Sequence, residues 1–373
     1  MNNLIKDYEN LHKIPELGFN EFKTQQYILK QLEGLNCKVF ALIPTGIIVF
    51  FNYGSSESIA FRCELDGLEI REINNLEHKS IHNGYMHACG HDGHMAMMLS
   101  LAYELDKIKC PRNVCLIFQP SEEIYGGALK VINSFEFNEL NIVEIYGIHL
   151  WPGLKKGIIA SRGNTLMASS TEIDINIIGR SVHIANKEEG IDAIKAATLL
   201  LSNLNPEEGV LFNCGKITSS GARNILCSNV LLECSMRTLF KIRKKKILRN
   251  LNDVARIISN ETKANIYVTS KGYIPEVRNS IFLFEKHRHL IDEVTSPVYQ
   301  AEDFSFYMEK CKILFMFLGV GDTPLLHSND FIFDAQVLKK GLATFLAIAK
   351  SRWVNLRRDL YFKRFNSCFN YAI

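Results

Sequence analysis

The sequence predicts an α/β fold that is interrupted by a smaller, inserted α+β domain. β-rich stretches at residues 58–65, 112–120 and 142–152 alternate with helical stretches, which is typical of a sheet flanked by helices. From about residue 168 the order changes to β-α-β-β-α-β, which predicts a ferredoxin-like sandwich of one sheet and two helices. The first pattern resumes near residue 281. We therefore expect a larger domain with a mixed sheet flanked by helices, and a second domain inserted into it.

The individual elements follow from local patterns. Residues 3–34 read as one or two helices, and the stretch KVFALIPTGIIVFFNY (38–53) is β-rich. The stretch GHMAMMLSLAYELDK (93–107) has apolar residues at helical spacing. The inserted domain is predicted from a half-exposed strand at 171–179, a helix at 190–204, strands within 225–240, a helix at 244–261 and a strand at 264–270. A strand at 313–321 and a helix at 335–350 complete the larger domain.

The predicted boundaries divide the chain into four segments. They are 1–167 (first part of the larger domain), 168–280 (inserted domain), 281–350 (second part of the larger domain) and 351–373 (a basic C-terminal extension). The last segment holds five Lys and Arg residues against one acid, so it accounts for the net charge of +3 of the whole chain. We expect this segment to be a solvated extension.

Composition excludes several classes of protein. A net charge of +3 over 373 residues is too weak to indicate a nucleic-acid partner. No apolar run approaches the roughly 18 to 20 residues that cross a membrane, and the N-terminus lacks the features of a secretory signal. We therefore predict a cytoplasmic location, with the ten cysteines present as thiols or metal ligands.

Candidate metal ligands are concentrated in short stretches. The stretch HACGHDGHMAMM (87–98) contains Cys89 and His91, a pair that alone would more often be a packed thiol beside a solvated histidine. Three other stretches, however, place donors just after apolar strands or in a late loop: FQPSEE, YGIHLW and LLHSNDF supply Glu123, His149 and His327. Sites of open α/β sheets lie at the carboxyl ends of strands, so we expect these donors to converge.

The number of donors indicates two metal ions. One catalytic ion usually takes three protein ligands and a water, so five donors are too many for one site. Two ions need about six ligand positions, which five donors supply if one of them bridges. The thiolate of Cys89 is the predicted bridge. Glu122 is left beside Glu123 without a ligand role, which suits a general base acting on a metal-activated water.

Five segments resemble the signatures of the M20 amidohydrolases. They are GYMHACGHDGHMAMML, IFQPSEEIYGGA, GIHLWP, AEDFSFY and LLHSNDFIFDA, and LHKIPELGFNEF near the start is similar to the branch that contains hippurate hydrolases, N-acyl-amino-acid deacylases and N-acetyldiaminopimelate deacetylases. The resemblance covers about residues 8 to 350. It implies a dinuclear metal site at the five donor positions, with Glu122 as the general acid and base.

The resemblance also implies roles for the inserted domain. Segment 168–280 corresponds to a lid that serves in homodimerisation, and GRSVHIA places His183 at the position of a histidine that reaches into the partner's site. Asn224 and Arg237 are similar to substrate-binding lid residues. The stretch RCELDGLE departs from the family pattern but keeps Asp66, which we expect to orient a ligand histidine.

The predicted function is hydrolysis of the amide bond of a small N-acyl-L-amino acid by a dinuclear metal enzyme. N-Acetyldiaminopimelate deacetylase is the specific prediction, because PTGIIV, ELDGL and KGYIPE resemble that subgroup. The alternatives are a hippurate hydrolase that deacylates aromatic N-acyl amino acids and, from another class, an inactive amidohydrolase-like binding protein. The mixed donor set suits Zn, Mn, Co or Ni.

Overall fold

The structure, a computed structural model, describes residues 2–204 and 207–352. The described residues form nine helices: α1 (Asn2–His12), α2 (Phe22–Leu32), α3 (His91–Leu105), α4 (Gly127–Asn133), α5 (Phe135–Glu139), α6 (Ala193–Ser202), α7 (Lys241–Thr262), α8 (Ile281–Lys286) and α9 (Leu338–Lys350). Short 3-10 helices lie at Ile184–Glu189, Arg288–Leu290, Asp303–Glu309 and Ala335–Val337.

The strands of the described residues are β1 (Lys38–Ala41), β2 (Ile47–Phe51), β3 (Ser58–Glu64), β4 (Asn113–Gln119), β5 (Ile142–Pro152), β6 (Ile159–Ser161), β7 (Asn164–Met167), β8 (Ser169–Ile178), β9 (Val210–Ser219), β10 (Asn229–Thr238), β11 (Asn265–Ile274), β12 (Val277–Asn279), β13 (Glu293–Val294) and β14 (Lys312–Gly321). The predicted helix at 244–261 corresponds to α7 and the one at 190–204 to α6, each with ends that differ by a few residues.

The larger sheet has eight strands in the order β1-β2-β4-β3-β5-β14-β6-β13. Its centre, β4-β3-β5-β14, is parallel. The pairs β1-β2, β2-β4 and β14-β6 are antiparallel, and β6 pairs in parallel with β13. Helices cover both faces of this sheet. Successive residues of a strand point to opposite faces, so each strand contributes to two cores. In β4, Val114, Leu116 and Phe118 pack in the core with α1, α3 and α9, whereas Cys115 and Ile117 pack in the core with α4 and α5.

The second sheet has four antiparallel strands in the order β11-β8-β10-β9. Helices α6 and α7 supply apolar residues to the core of this sheet, and the chain order is β8-α6-β9-β10-α7-β11. This is the β-α-β-β-α-β arrangement expected from the sequence. The predicted fold class, a mixed sheet flanked by helices with a separate antiparallel α+β unit, is confirmed.

The second sheet runs from residue 169 to residue 274, within the predicted segment 168–280. A two-stranded pairing of β7 with β12 lies where the chain passes between the two sheets. The division into four segments stays a prediction, and most of the predicted basic extension, residues 353–373, lies outside the described residues. Within the described ranges, no helix has the length and apolar character needed to cross a membrane.

The parallel centre determines where the candidate site lies. Strands β3, β4, β5 and β14 run in the same direction, so their carboxyl ends meet at one edge of the sheet. The segments 65–66, 120–123 and 322–327 begin at those ends, and His149 lies near the end of β5. The predicted functional residues of the larger domain therefore gather at this edge.

Candidate metal centre

A sharp turn at Gly90 brings Cys89 and His91 to the same side of the chain. Gly90 has a left-handed φ of 81° and precedes the first residue of α3, a conformation that favours glycine. A Cβ atom at this position would lie 2.8 Å from Cδ1 of Leu150, so space also requires glycine. Both flanking side chains are buried. The Cys-Gly-His sequence thus presents a thiol and an imidazole at the start of a buried helix.

His91 and His149 are each held by a main-chain carbonyl. Nδ1 of His91 lies 2.9 Å from the carbonyl oxygen of Asp66, and Nδ1 of His149 lies 2.7 Å from that of Leu150. An N–H at each Nδ1 donates to the carbonyl, which leaves the lone pair at Nε2. Nε2 of His91 is buried and has no hydrogen-bond partner among the described residues. Nε2 of His149 lies 3.5 Å from Sγ of Cys89. Both rings are therefore oriented as metal ligands usually are.

Glu123 and His327 contact each other across the same site. Nε2 of His327 lies 3.3 Å from Oε1 of Glu123, and His327 is about half exposed at 51%. Its backbone has a left-handed φ of 66°, and its N–H donates to the carbonyl of Ala88 at 2.9 Å. Burial alone would raise the pKa of Glu123, but the hydrogen bond from His327 and the nearby His91 lower it to about 2. Glu123 is therefore anionic at neutral pH.

The five predicted ligands form two overlapping groups. Ligand atoms of Cys89, His91 and His149 lie within 4.8 Å of one another, and so do those of Cys89, Glu123 and His327. Cys89 is the member that both groups share. Two adjacent ions with Cys89 between them would fit this donor set, and the unpaired Nε2 of His91 is the kind of buried atom that such an ion satisfies.

Glu122 is buried next to these donors but belongs to a different environment. Burial, and then the nearby carboxylates of Glu302, Glu123, Asp303 and Asp66, raise the pKa of Glu122 well above its usual range. A raised pKa favours the exchange of a proton with a reacting group in both directions, as general acid–base catalysis requires.

Glu302 also belongs to this site, although no role was predicted for it. Its side chain lines the same cavity as Glu122, and oxygens of Glu122, Glu302 and Asp303 lie within 4.8 Å of one another. The motif AEDFSFY contains both acids and was the available signal. Its meaning depends on a tertiary contact, because Arg62 of β3 donates to Glu302 at 3.0 Å and to Asp303 at 2.7 Å.

Asp66 contacts the histidine that it was expected to orient. Its carbonyl oxygen accepts from His91, its Oδ1 lies 3.6 Å from Nδ1 of that ring, and its Oδ2 accepts from the N–H of Glu123 at 2.9 Å. Asp66, in the segment that follows β3, thus contacts one donor from α3 and one from the segment that follows β4. Its proposed role as an orienting carboxylate is compatible with these contacts.

His94 lies close to the donors but has no free nitrogen. Its Nδ1 contacts Oε2 of Glu64 at 2.6 Å, and its Nε2 accepts from the N–H of Leu150 at 3.0 Å. Because both ring nitrogens are engaged, His94 ties β3 to β5 and is not available to a metal. Glu64, which departs from the family pattern, is a partner in this structural contact.

A cavity of about 420 Å³ opens beside the donors, between the two sheets. Cys89, Glu122, Glu123, His149, Glu302 and His327 lie in its lining on one side, and Leu211 and Arg237 on the other. Between them the lining includes the aromatic and apolar side chains of Tyr125, Trp151, Met167, Tyr299 and Leu326. The structure thus brings together the predicted ligands, Glu122 and Arg237 around one space.

Four predicted residues are not in that lining. His91 and Asp66 are fully buried beside the donors, whereas the other two lie on the inserted domain. His183 and Asn224 are exposed and meet each other on the lid, where the N–H of Ile184 donates to the carbonyl of Asn224 at 3.0 Å. Nδ1 of His183 accepts from the N–H of Ala185 at 3.2 Å, which leaves its Nε2 facing away from that turn. Within one chain, neither side chain is placed at the donor cluster.

Thiol, imidazole and carboxylate donors gathered at the carboxyl ends of parallel strands, beside a protonatable carboxyl group, are typical of a metallohydrolase. The sequence pattern of Peptidase family M20/M25/M40 matches residues 60–351, and the chain belongs to this family. The resemblance found in the sequence motifs is confirmed.

Individual relatives agree with this assignment. The N-acetyldiaminopimelate deacetylase of Streptococcus uberis is 32% identical over 364 residues, which cover 92% of this chain and 96% of the relative. The enzyme of the same name from Lactobacillus helveticus is 31% identical over 363 residues, with 91% and 94% covered. The crystal structure of a dinuclear metal-binding M20 peptidase from Bacillus subtilis is 28% identical, with a TM-score of 0.84 over 93% of this chain and 96% of that one. Together they support a metal-dependent amide hydrolase.

Proposed function

We propose that the chain hydrolyses the amide bond of N-acyl-L-amino acids, with two divalent metal ions held by Cys89, His91, Glu123, His149 and His327. The observation that supports this most directly is the pair of ligand groups that share Cys89. When bound, the two ions would polarise the amide carbonyl and lower the pKa of a water molecule. The donor set admits Zn, Mn, Co or Ni.

Glu122 is the proposed general acid and base. It takes a proton from the attacking water and returns it to the leaving amine, and a carboxyl pKa above the usual range favours both transfers. Its burial and its carboxylate neighbours supply that property. Glu302 and Asp303, which both accept from Arg62, are among the carboxyl groups that raise this pKa, and neither belongs to the five proposed ligands.

Arg237 is the proposed partner of the substrate carboxylate. Its guanidinium lies in the cavity wall and donates to Oγ of Ser170, so it is positioned from within the lid sheet. A planar guanidinium suits a planar carboxylate. Asn224 is proposed to assist, but from the exposed lid surface where it lies it would have to reach a substrate in another subunit's site.

The same reasoning applies to His183. We propose that the chain forms a homodimer through the lid, and that His183 donates to the developing oxyanion in the partner's site. Its exposure and its absence from the cavity lining of its own chain favour action on a second subunit.

The proposed substrate is N-acetyldiaminopimelate, because the relatives at 31–32% identity carry that activity in their names. The aromatic lining by Tyr125, Trp151 and Tyr299 favours a second candidate, hippurate and other N-acyl amino acids with an aromatic group. An inactive binding protein is disfavoured, because the five donors are gathered in two groups that share Cys89, and four of them line one cavity with Glu122.

A substrate and metal screen tests the proposal. The full chain, freed of metal and then loaded separately with Zn, Mn, Co or Ni, is assayed for amine release from N-acetyldiaminopimelate, hippurate and N-acetyl amino acids. We expect metal-dependent hydrolysis of at least one of these substrates. A protein that binds two metal equivalents but hydrolyses none of them would contradict the proposed activity while keeping the metal centre.

A further inference from the structure

Cys214 and Cys234 form a cross-strand pair in the lid sheet. They are direct partners in the antiparallel register of β9 and β10, and both are free thiols. Opposed residues of an antiparallel pair have Cα atoms about 4.5 to 5.5 Å apart, within the range of about 4.4 to 6.8 Å that a disulfide needs. Their backbone positions therefore already meet the geometric requirement.

The side chains of the two cysteines lie on the same face of the sheet. Both pack in the core formed with α6 and α7, with Cys234 buried and Cys214 half-buried. The register shifts between Glu233 and Cys234, and Gly215 is the extra residue on β9. This bulge places Cys214, rather than its neighbour, opposite Cys234. Burial, and then the neighbouring Cys214 thiol, raise the pKa of Cys234 to about 12, so the two side chains interact directly.

We infer that Cys214 and Cys234 are a reversible disulfide-forming site that a low-molecular-weight disulfide oxidises in the folded protein. The half-buried Cys214 reacts first: its thiolate attacks one sulfur of the small disulfide, whose S–S bond breaks and releases one thiol after proton uptake. Cys234 then loses its proton and attacks Sγ of Cys214, which releases the second thiol. Two protein thiols and one small disulfide thus become one protein disulfide and two small thiols.

The site has a defined position relative to the candidate metal centre. Leu211 of β9 and Arg237 of β10 line the cavity and pair directly with each other. Leu211 lies three residues from Cys214, and Arg237 lies three residues from Cys234. In the four-stranded sheet of the described residues, β9 is an edge strand and its neighbour is β10. A disulfide would therefore link β9 covalently to β10, close to Leu211 and Arg237 of the cavity wall. The inference does not depend on the proposed function.

The experiment uses the full, metal-loaded chain incubated with oxidised glutathione under native conditions, followed by alkylation of free thiols and peptide mass mapping. We expect a Cys214–Cys234 linked peptide that dithiothreitol reverses, with an unchanged circular dichroism spectrum. The variants Cys214→Ser and Cys234→Ala should lose this link, and Cys214 of the second variant should instead carry glutathione.

Cys227→Ser is the matched control. Cys227 is buried in the same lid core but donates to the carbonyl of Asn229 and lies outside β9 and β10, so the linked peptide should persist in this variant. The inference is overturned if the linked peptide is absent from oxidised wild type. It is equally overturned if the peptide forms only after unfolding in denaturant, or if glutathione stays on Cys214 while Cys234 remains a free thiol.

Discussion

Sγ of Cys89 lies 3.5 Å from Nε2 of His149, and both residues are buried at the carboxyl edge of the larger sheet. If this thiolate joins two metal ions, Cys89→Ala should remove metal and activity together. We expect metal content by inductively coupled plasma mass spectrometry to fall by at least one equivalent and hydrolysis to fall to background. Cys115→Ala, a change at a buried cysteine of β4 away from the donors, should keep both. An active Cys89→Ala enzyme with two metals would reduce Cys89 to a packing residue.

Substitutions at the adjacent residues Glu122 and Glu123 should distinguish a role in proton transfer from a role in metal binding. Glu122→Gln should keep both metal equivalents but lower kcat by about 10²- to 10⁴-fold, the scale of lost general acid–base catalysis. Glu123→Gln should lose metal as well as activity, because the anionic Glu123 lies within the donor group. Kinetics and metal analysis on the same preparations decide the matter. Near-normal turnover by Glu122→Gln would show that this assignment is wrong.

Subunit mixing should reveal whether His183 acts in a second chain. Glu122→Gln and His183→Ala should each be nearly inactive alone. When the two are unfolded together and reassembled in equal amounts, about half of the dimers should be mixed. One of the two sites in each mixed dimer would have both groups, so activity should return to about a quarter of the wild-type level. A mixture that stays inactive, with mixed dimers confirmed by native mass spectrometry, would argue against a shared site.

Removing the buried Arg62 should destabilise the larger domain. Arg62 is fully buried and donates to Glu64, Glu302 and Asp303, so Arg62→Met would leave three carboxylates without their cation. We expect the free energy of unfolding in urea to fall by about 3 to 5 kcal/mol. Arg71→Met, at an exposed position of the same domain, should change it by less than about 0.5 kcal/mol. Equal effects of the two substitutions would show that the buried network contributes little to stability.

His12 should make stability depend on alkaline pH. Burial by itself lowers the pKa of this ring, but hydrogen bonds to Asp92 at 2.6 Å and Glu72 at 3.2 Å raise it to about 9. Because the folded pKa is raised above the usual 6.5, the stabilisation is complete below pH 6.5 and is lost as pH rises through 9. The free energy of unfolding should therefore fall between these values, by on the order of 3 kcal/mol at most.

Urea unfolding of the metal-free protein across that pH range measures this contribution. His12→Gln should be less stable than wild type near pH 6 and should lose this part of the pH dependence. His289→Gln, at an exposed histidine, should keep the wild-type slope. A wild-type curve that stays flat or rises between pH 6.5 and 9 would contradict the ion-pair interpretation of His12.

The location of most donors could be predicted from sequence, because they follow a short apolar strand or lie at the start of a helix, and His327 lies in a loop after the last strand. Strand ends are local features, and parallel strands bring their carboxyl ends to one edge whatever their order. The structure brings the five predicted ligands, Glu122 and Asp66 close together, and their roles stay predictions. The inserted unit could be anticipated in the same way, from the order of its strands and helices.

What the sequence could not supply depends on contacts between distant segments. Helix α3 is buried over nearly all of its length, so it lacks an exposed polar face. Its sequence pattern therefore could not predict which side of the helix packs against the sheet. The pairing of Arg62 with Glu302 joins residues 240 positions apart, and no local pattern predicts such a contact. His183 and Asn224 were given roles by resemblance, and a single chain places them outside the cavity lining.

The position of β14 in the larger sheet has a consequence for biosynthesis. This strand lies between β5 and β6 and pairs with both, yet it is synthesised about 160 residues after β5 and follows the whole inserted domain. Until residues 312–327 have been synthesised, β5 lacks β14 as its neighbour, and the loop with His327 is absent. The predicted five-donor cluster can therefore form only after residues 312–327 have been synthesised, well after the other four donors. Until then, the apolar edge of β5 is the surface that a chaperone would need to shield from aggregation.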